Sequence, residues 1–265
     1  MQARCGEDRL ASGMTTRMSL GKAPPPTAAQ IRARLRALAD PRIASASQRF
    51  FKTAPGEYGH GDRFLGIRVP TLRKLAREYR AAPIAAAFAL LRSPLHEERA
   101  LALLILVARY ARGTAAEQQH IYAQYLEHVP KHINNWDLVD SSAHYIVGAH
   151  LMQRDRSVLH ELARSPHLWS RRVAIIATFC FIRQGSFDDT LAIAEQLLDD
   201  REDLMHKAAG WMLREVGNRD GAVAERFLRR YCRRMPRTML RYAIEKLPER
   251  TRRAYLDGSY SFSIV

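Results

Sequence analysis

Residues 167–184 read HLWSRRVAIIATFCFIRQ, and residues 203–216 read DLMHKAAGWMLREV. Apolar side chains recur in both at three- and four-residue spacing, and they cover more than one face of the helix this spacing predicts. A helix apolar on several faces needs neighbours on several sides, so both stretches read as inner members of a stack. Working outward, the same period predicts helices over 84–92, 96–112, 114–128, 135–153, 157–164, 187–199, 221–234 and 237–246. Thr27 with Gln30, Thr114 with Glu117 and Ser186 with Asp189 are start signals, and Gly113, Gly185 and Gly217 are stops. Pro41 opens a segment ending in Phe50-Phe51, and Pro70 fits a first helical turn. No alternating strand of useful length occurs. The expectation is an all-α chain whose short-linked helix pairs, roughly 35–45 residues each and so in the range of HEAT or armadillo units, stack as a helical-repeat solenoid with a concave face.

Composition narrows the partners. The chain has 265 residues, 42 Lys+Arg against 27 Asp+Glu, and a formal charge of +15. Such a charge favours polyanions, although 36 of the cations are arginine and a coding bias gives the same excess. Cys5, Cys180 and Cys232 form no CxxC pair, so neither a disulfide framework nor a thiolate zinc site is indicated. The longest apolar run, residues 100–108, is far short of the roughly 20 residues a bilayer requires. Residues 1–26 mix Arg, Gly and Ser, end in Pro24-Pro25-Pro26 and lack a secretory core. They read as a tail, with Met14 and Met18 as alternative starts. Residues 259–265 read as a second tail.

Several chemistries find no motif. GxxxxGK[ST], HExxH and GxSxG are absent, and the Gly59/Gly61 loop carries Phe64 where a dinucleotide fingerprint needs glycine. His144 and His150 are six apart, which does not place both on one helical face for a metal. What remains is polar and aromatic groups inside helical segments. Asn135 can cap a helix whose first turns hold Trp136, Asp137 and Asp140, with Trp136 and Asp140 neighbours at i, i+4. Arg172 opens an inner helix, and Gly210 allows a close backbone approach beside Trp211. Each has a plainer reading: buried tryptophans, a helix start, a solvated or phosphate-touching arginine.

Taken together, FLGIRVPTLRKL (64–75), NNWDLVDSSAHYIVGAHL (134–151), LWSRRVAIIATF (168–179) and KAAGWMLREVG (207–217) closely resemble the AlkD-type DNA alkylation repair family. Its members are alkylpurine DNA glycosylases built of HEAT-like repeats, and the resemblance runs in order from about residue 41 to 247. It implies that residues 27–258 form a glycosylase domain with a concave basic cleft. Asp140 would be the catalytic carboxylate, Trp136 and Trp211 the active-site indoles, and Arg172 the cleft arginine that holds a phosphate. Arg214 and Lys207 are read as further DNA contacts. It implies double-stranded DNA containing alkylated bases as partner, with no cofactor, metal, nucleotide or membrane, a monomeric state and a cytoplasmic location, nucleoid-associated if the source is bacterial. The lesion need not enter a base pocket, and the product would be an abasic site. Two departures stand out: only Phe50 and Phe51 are available where some members place a cleft tyrosine, and the Gly-rich stretch 55–63 is longer. The alternative is a HEAT-like scaffold that reads duplex structure without catalysis.

Overall fold

Helices dominate wherever the sequence alternates on a 3.6-residue period. The computed structural model describes residues 24–260; of the expected tails 1–26 and 259–265, residues 1–23 and 261–265 lie outside the described residues. In chain order the helices are α1 (Ala28–Arg36), α2 (Pro41–Phe50), α3 (Val69–Glu78), α4 (Ile84–Leu91), α5 (His96–Tyr110), α6 (Ala115–His128) and α7 (Trp136–Asp140). A π-turn (His144–Gly148) leads into α8 (Ala149–Leu151), then α9 (Ser157–Ala163), α10 (Leu168–Ala177), α11 (Phe179–Ile182) and α12 (Asp188–Gln196). The chain closes with α13 (Asp203–Arg219), α14 (Gly221–Tyr231), α15 (Arg237–Ala243) and α16 (Glu249–Asp257). Among the described residues, extended pairing amounts to the bridge between Arg63 and Leu95.

Packing follows the helical-repeat expectation. One row runs through the molecule: α3 lies on α5, α5 on α7, α7 on α10, α10 on α13 and α13 on α15. The partners pack against members of this row, α4 and α6 on α5, α9 and α12 on α10, and α12 and α14 on α13. α10 is the most enclosed member, with Trp169, Ser170 and every residue from Arg172 to Ala177 buried. That is what apolar residues on several faces of 167–184 require.

Close approach is built into the row by glycine. A Cβ on Gly210 of α13 would lie 2.4 Å from the Met239 carbonyl oxygen and 2.6 Å from Cβ of Tyr242 on α15. Gly210→Ala therefore has to push α15 off α13. It is expected to cost about 1–3 kcal/mol and to lower the melting temperature by several degrees. A melting temperature within 1 °C of the wild type would show that the contact yields freely.

Four local readings are corrected. Residues 135–153 do not form one regular helix. Ser141 and Ser142 both turn their hydroxyls onto the Leu138 carbonyl, and Ser142 is also bonded to the Tyr125 hydroxyl at 2.8 Å. These side chains compete for the helical ladder, so α7 ends at Asp140 and the chain re-enters through the π-turn. Gly217 does not stop α13, which runs on to Arg219, because Gly217 lies against Ala224 of α14 and the chain turns instead at Asp220. Ser186 does not cap α12; Ser186 and Asp189 both receive Arg156. The sequence period missed α16, a strongly charged helix that buries only Tyr255. Tyr260 stacks on that ring at 4.1 Å, so the chain stays packed past the predicted boundary.

Candidate active site

α7 is fixed from beneath. Asn135 is fully buried; its side-chain oxygen accepts the Trp136 amide at 2.8 Å and its amide donates to Asp62 at 2.9 Å. Asp62 also receives Arg99 at 2.6 Å and pairs with Nδ1 of His96 at 3.1 Å, while Nε2 of His96 meets Asp137 at 2.8 Å. Burial alone would lower His96, but the Asp137 charge and the bonds to both carboxylates outweigh it and lift the ring to about 9. An imidazolium thus sits between two carboxylates below the helix that carries Trp136 and Asp140.

Asp140 points onto α10. Nε and Nη2 of Arg172 donate to its two oxygens at 2.8 and 2.7 Å, and Nη1 donates to the Leu204 carbonyl at 2.6 Å. Burial raises the Asp140 carboxyl above its ordinary value, while the Arg172 guanidinium pulls it back. Arg172, expected on a phosphate, is itself only 4% exposed and has all three nitrogens committed inside the protein. Its geometry is that of a clamp on Asp140.

The indoles face the same space. Trp136 is half-buried and lies flat against Phe51, with ring centroids 5.5 Å apart and an angle of 23°. Trp211 donates its indole N–H to Glu215 at 3.0 Å. Arg214 is tied to Glu215 and Glu245, and Lys207 to Asp203 at 2.8 Å. The Asp203 hydrogen bond raises the Lys207 ammonium above its ordinary value. All six sequence-predicted residues, Trp136, Asp140, Arg172, Lys207, Trp211 and Arg214, line one cleft of about 510 Å³, with Phe50, Tyr58, Leu204 and Tyr242 completing its wall.

Two further recesses meet at Asp140. One of about 340 Å³ is largely apolar, with Phe64, Ile67 and Leu72 in its wall. The other, about 540 Å³, is bordered by Arg73, Arg77, Arg80 and Arg112, together with His144 and Tyr145. Burial, helped by the Arg183 charge, depresses His144 to about 4, so this ring is neutral. Among the described residues no cluster of His, Cys, Asp and Glu could hold a metal ion.

Sequence reading missed Tyr58 and Tyr242. The Phe50-Phe51 segment offers only phenylalanine, and a cleft hydroxyl comes instead from Tyr58, carried by the Gly-rich loop after α2 to the side of Trp136. No local period marks a loop tyrosine, and Tyr242 reads as one more aromatic in a short helix. The same loop supplies Asp62 to the buried network, which its Gly-rich composition does not announce.

Comparison with known proteins bears on the family and the fold. The family described as DNA alkylation repair enzyme matches residues 31–247. A solved structure, a predicted DNA alkylation repair enzyme from Enterococcus faecalis, superposes with a TM-score of 0.62 at 17% identity, covering 80% of this chain and 97% of that one. At that identity the likeness speaks for the shared fold. Comparison with curated protein sequences gives no match. No helix among the described residues is long and apolar enough to cross a membrane. With the family match spanning almost the whole helical array, the chain belongs to the DNA alkylation repair enzyme family and has a role in DNA repair.

Proposed function

We propose that the protein is a monofunctional DNA glycosylase that hydrolyses the N-glycosidic bond of cationic N3- or N7-alkylated purines in duplex DNA, leaving an abasic site. The observation that carries this reading is Asp140, gripped in a fork by a buried arginine at the wall of a cleft that also holds both indoles.

An alkylated purine already carries positive charge, so it departs without a general acid. As the bond breaks, positive charge develops on the deoxyribose, where a fixed carboxylate in a water-poor cleft stabilises it. Arg172 occupies one lone pair on each Asp140 oxygen and leaves the others to face the sugar and orient the attacking water. Each indole face adds roughly 0.5–2 kcal/mol of attraction for the cationic sugar. Lys207 borders the cleft as well, yet its hydrogen bond to Asp203 keeps it an ammonium, which cannot attack the sugar as an amine nucleophile would. That supports hydrolysis without strand cleavage. The direct test is release of 7-methylguanine and 3-methyladenine from methylated duplex DNA, followed by a check that strands stay intact until abasic sites are cleaved. A protein that binds the duplex and releases neither base would be a scaffold.

Arg172 has its own expected result. Asp140 works ionised, and its carboxyl is raised by burial and restrained by Arg172, so excision should fall as pH drops through that value. Arg172→Ala removes the restraint. The acid limb of the rate should move to higher pH, with excision at neutral pH down by roughly ten- to a hundredfold as the carboxylate loses its position. Arg172→Lys should restore part of the charge and none of the fork. A weaker affinity with an unmoved acid limb would return Arg172 to the phosphate role.

A further inference from the structure

Residues 226–241 read RFLRRYCRRMPRTMLR, with seven arginines and no Asp or Glu, in a chain that has 36 arginines over 265 residues. A compositional excess would be scattered; this one is concentrated, and all seven side chains are exposed. α14 turns Phe227, Leu228 and Tyr231 inward and packs on α13. Arg226, Arg230 and Arg233 follow one another at four and three residues, so they share the face that α14 leaves to solvent. None of the seven borders a recess at Asp140.

The cations of the cleft are answered inside the protein: Arg172 by Asp140, Lys207 by Asp203 and Arg214 by Glu245. On α14, Arg229 is answered by Glu225 and, just past the helix, Arg234 by Asp199. Among the described residues Arg226, Arg230 and Arg233 have no carboxylate partner; Arg230 only lies over the Tyr231 ring, 5.1 Å from its centroid. Stability does not account for them. The last turn of α14 suits Arg229 and Arg230 to the helix dipole, but Arg226 stands in mid-helix and like charges at this spacing repel. A row of unpaired guanidinium groups over roughly 10 Å of helix matches a partner with closely repeated anions. Duplex DNA carries one negative charge per 1.7 Å or so of its axis. From this charge complementarity we propose that the outer face of α14 is a second duplex site, which seats another DNA segment by its phosphates while the cleft holds the first. The proposal rests on the chain's place in a DNA repair family and not on the glycosylase reading. Phosphate contacts carry no sequence information, so the site takes any duplex and lets the protein bridge two segments.

The test fills the cleft with a short donor-labelled duplex carrying a tetrahydrofuran abasic analogue, then adds an undamaged acceptor-labelled duplex. With wild-type protein, energy transfer should appear, and sedimentation should show one protein with two duplexes. Replacing Arg226, Arg230 and Arg233 together by Glu should weaken the second duplex roughly tenfold or more and flatten its salt dependence, with affinity for the first nearly unchanged. The triple Lys variant keeps the charge and should retain the second duplex, whereas the triple Gln variant should lose it. These side chains are in solvent, so all three variants should melt with the wild type. Wild-type protein that takes no second duplex overturns the proposal, as does a complex of two proteins with two duplexes, or equal second binding by the Glu variant. Exclusion of the second duplex when the first is merely lengthened would make the face a continuation of the cleft. Binding to phosphatidylglycerol vesicles in place of the second duplex would make it a membrane face; either result also overturns the proposal. Release of 7-methylguanine from a short methylated duplex should be the same for wild type and the Glu variant. Two duplexes bound without release would sink the glycosylase reading and leave the second site; release with one duplex bound would do the reverse.

Discussion

Asp140→Asn is expected to slow single-turnover release of 7-methylguanine by about a hundredfold or more, on the order of 3 kcal/mol of lost transition-state stabilisation. The amide has nearly the carboxylate's shape but no charge to set against the developing sugar cation. The Arg172 fork adds a second consequence. Two N–H donors meet the two oxygens of Asp140, so an asparagine there satisfies one donor and turns its own NH₂ towards the other. The variant therefore leaves a nearly buried guanidinium half-paired, and a lower melting temperature should accompany the rate loss. Affinity for an abasic-analogue duplex, measured on the same protein, separates the two effects. Retained or slightly tighter binding with a hundredfold slower release places the loss in chemistry, since the carboxylate repels phosphates until the cation forms. Release at the wild-type rate would reduce Asp140 to a helix-end residue and favour the scaffold. Loss of binding together with rate would mean that the Asp140–Arg172 pair is needed for structure first.

The helical array was readable because burial imposes a period. The inner helices had to be apolar on several faces, and residues 167–184 and 203–216 say so without any fold in mind. Capping boxes at Thr27 and Thr114 fell where the hydroxyl and the following Gln or Glu put them, both hydrogen bonds being local. The break after Asp140 was hidden, because it depends on Ser142 meeting Tyr125 from a different helix, a contact no local pattern encodes. The cleft divides in the same way. Trp136, Asp140, Trp211 and Arg172 were legible from their motifs, and their convergence follows from α7, α10 and α13 being successive members of one row. What Arg172 touches was not legible. An arginine one turn into an inner helix is equally placed for a phosphate and for a carboxylate, and only the position of α7 decides for Asp140. Tyr58 and Asp62 were invisible for a related reason: both lie on a Gly-rich loop, and only its path over α5 and α7 carries one to the cleft and the other into the core.

That buried core network leads to the largest expected loss of stability. Asp62→Ala would strand three groups at once: the Arg99 guanidinium, Nδ1 of the His96 imidazolium and the Asn135 amide, all of them buried. Removing one partner of a buried ionic cluster costs roughly 3–5 kcal/mol, which for a chain of this size is roughly 10 °C in melting temperature. The pH profile should identify the cause. His96 ordinarily titrates at 6.5 and is raised to about 9 here, so its contribution, about 3 kcal/mol, is fully present below 6.5 and is lost as pH rises through 9. For Asp62, burial would raise the carboxyl, but the His96, Arg99 and Asn135 interactions outweigh it and hold it below its ordinary value. Its contribution is present above the unfolded value of 3.8 and disappears as pH falls through the lower folded one. Wild-type stability should therefore decline at both ends, while Asp62→Ala should lose the acid limb it owes to this residue and flatten the alkaline one, with Asp137 still holding His96. Because Asn135 ties the network to the start of α7, the same variant should also slow excision by loosening Trp136 and Asp140. A variant that melts within 1 °C of the wild type with an unchanged pH profile would show that α7 is held by apolar packing alone.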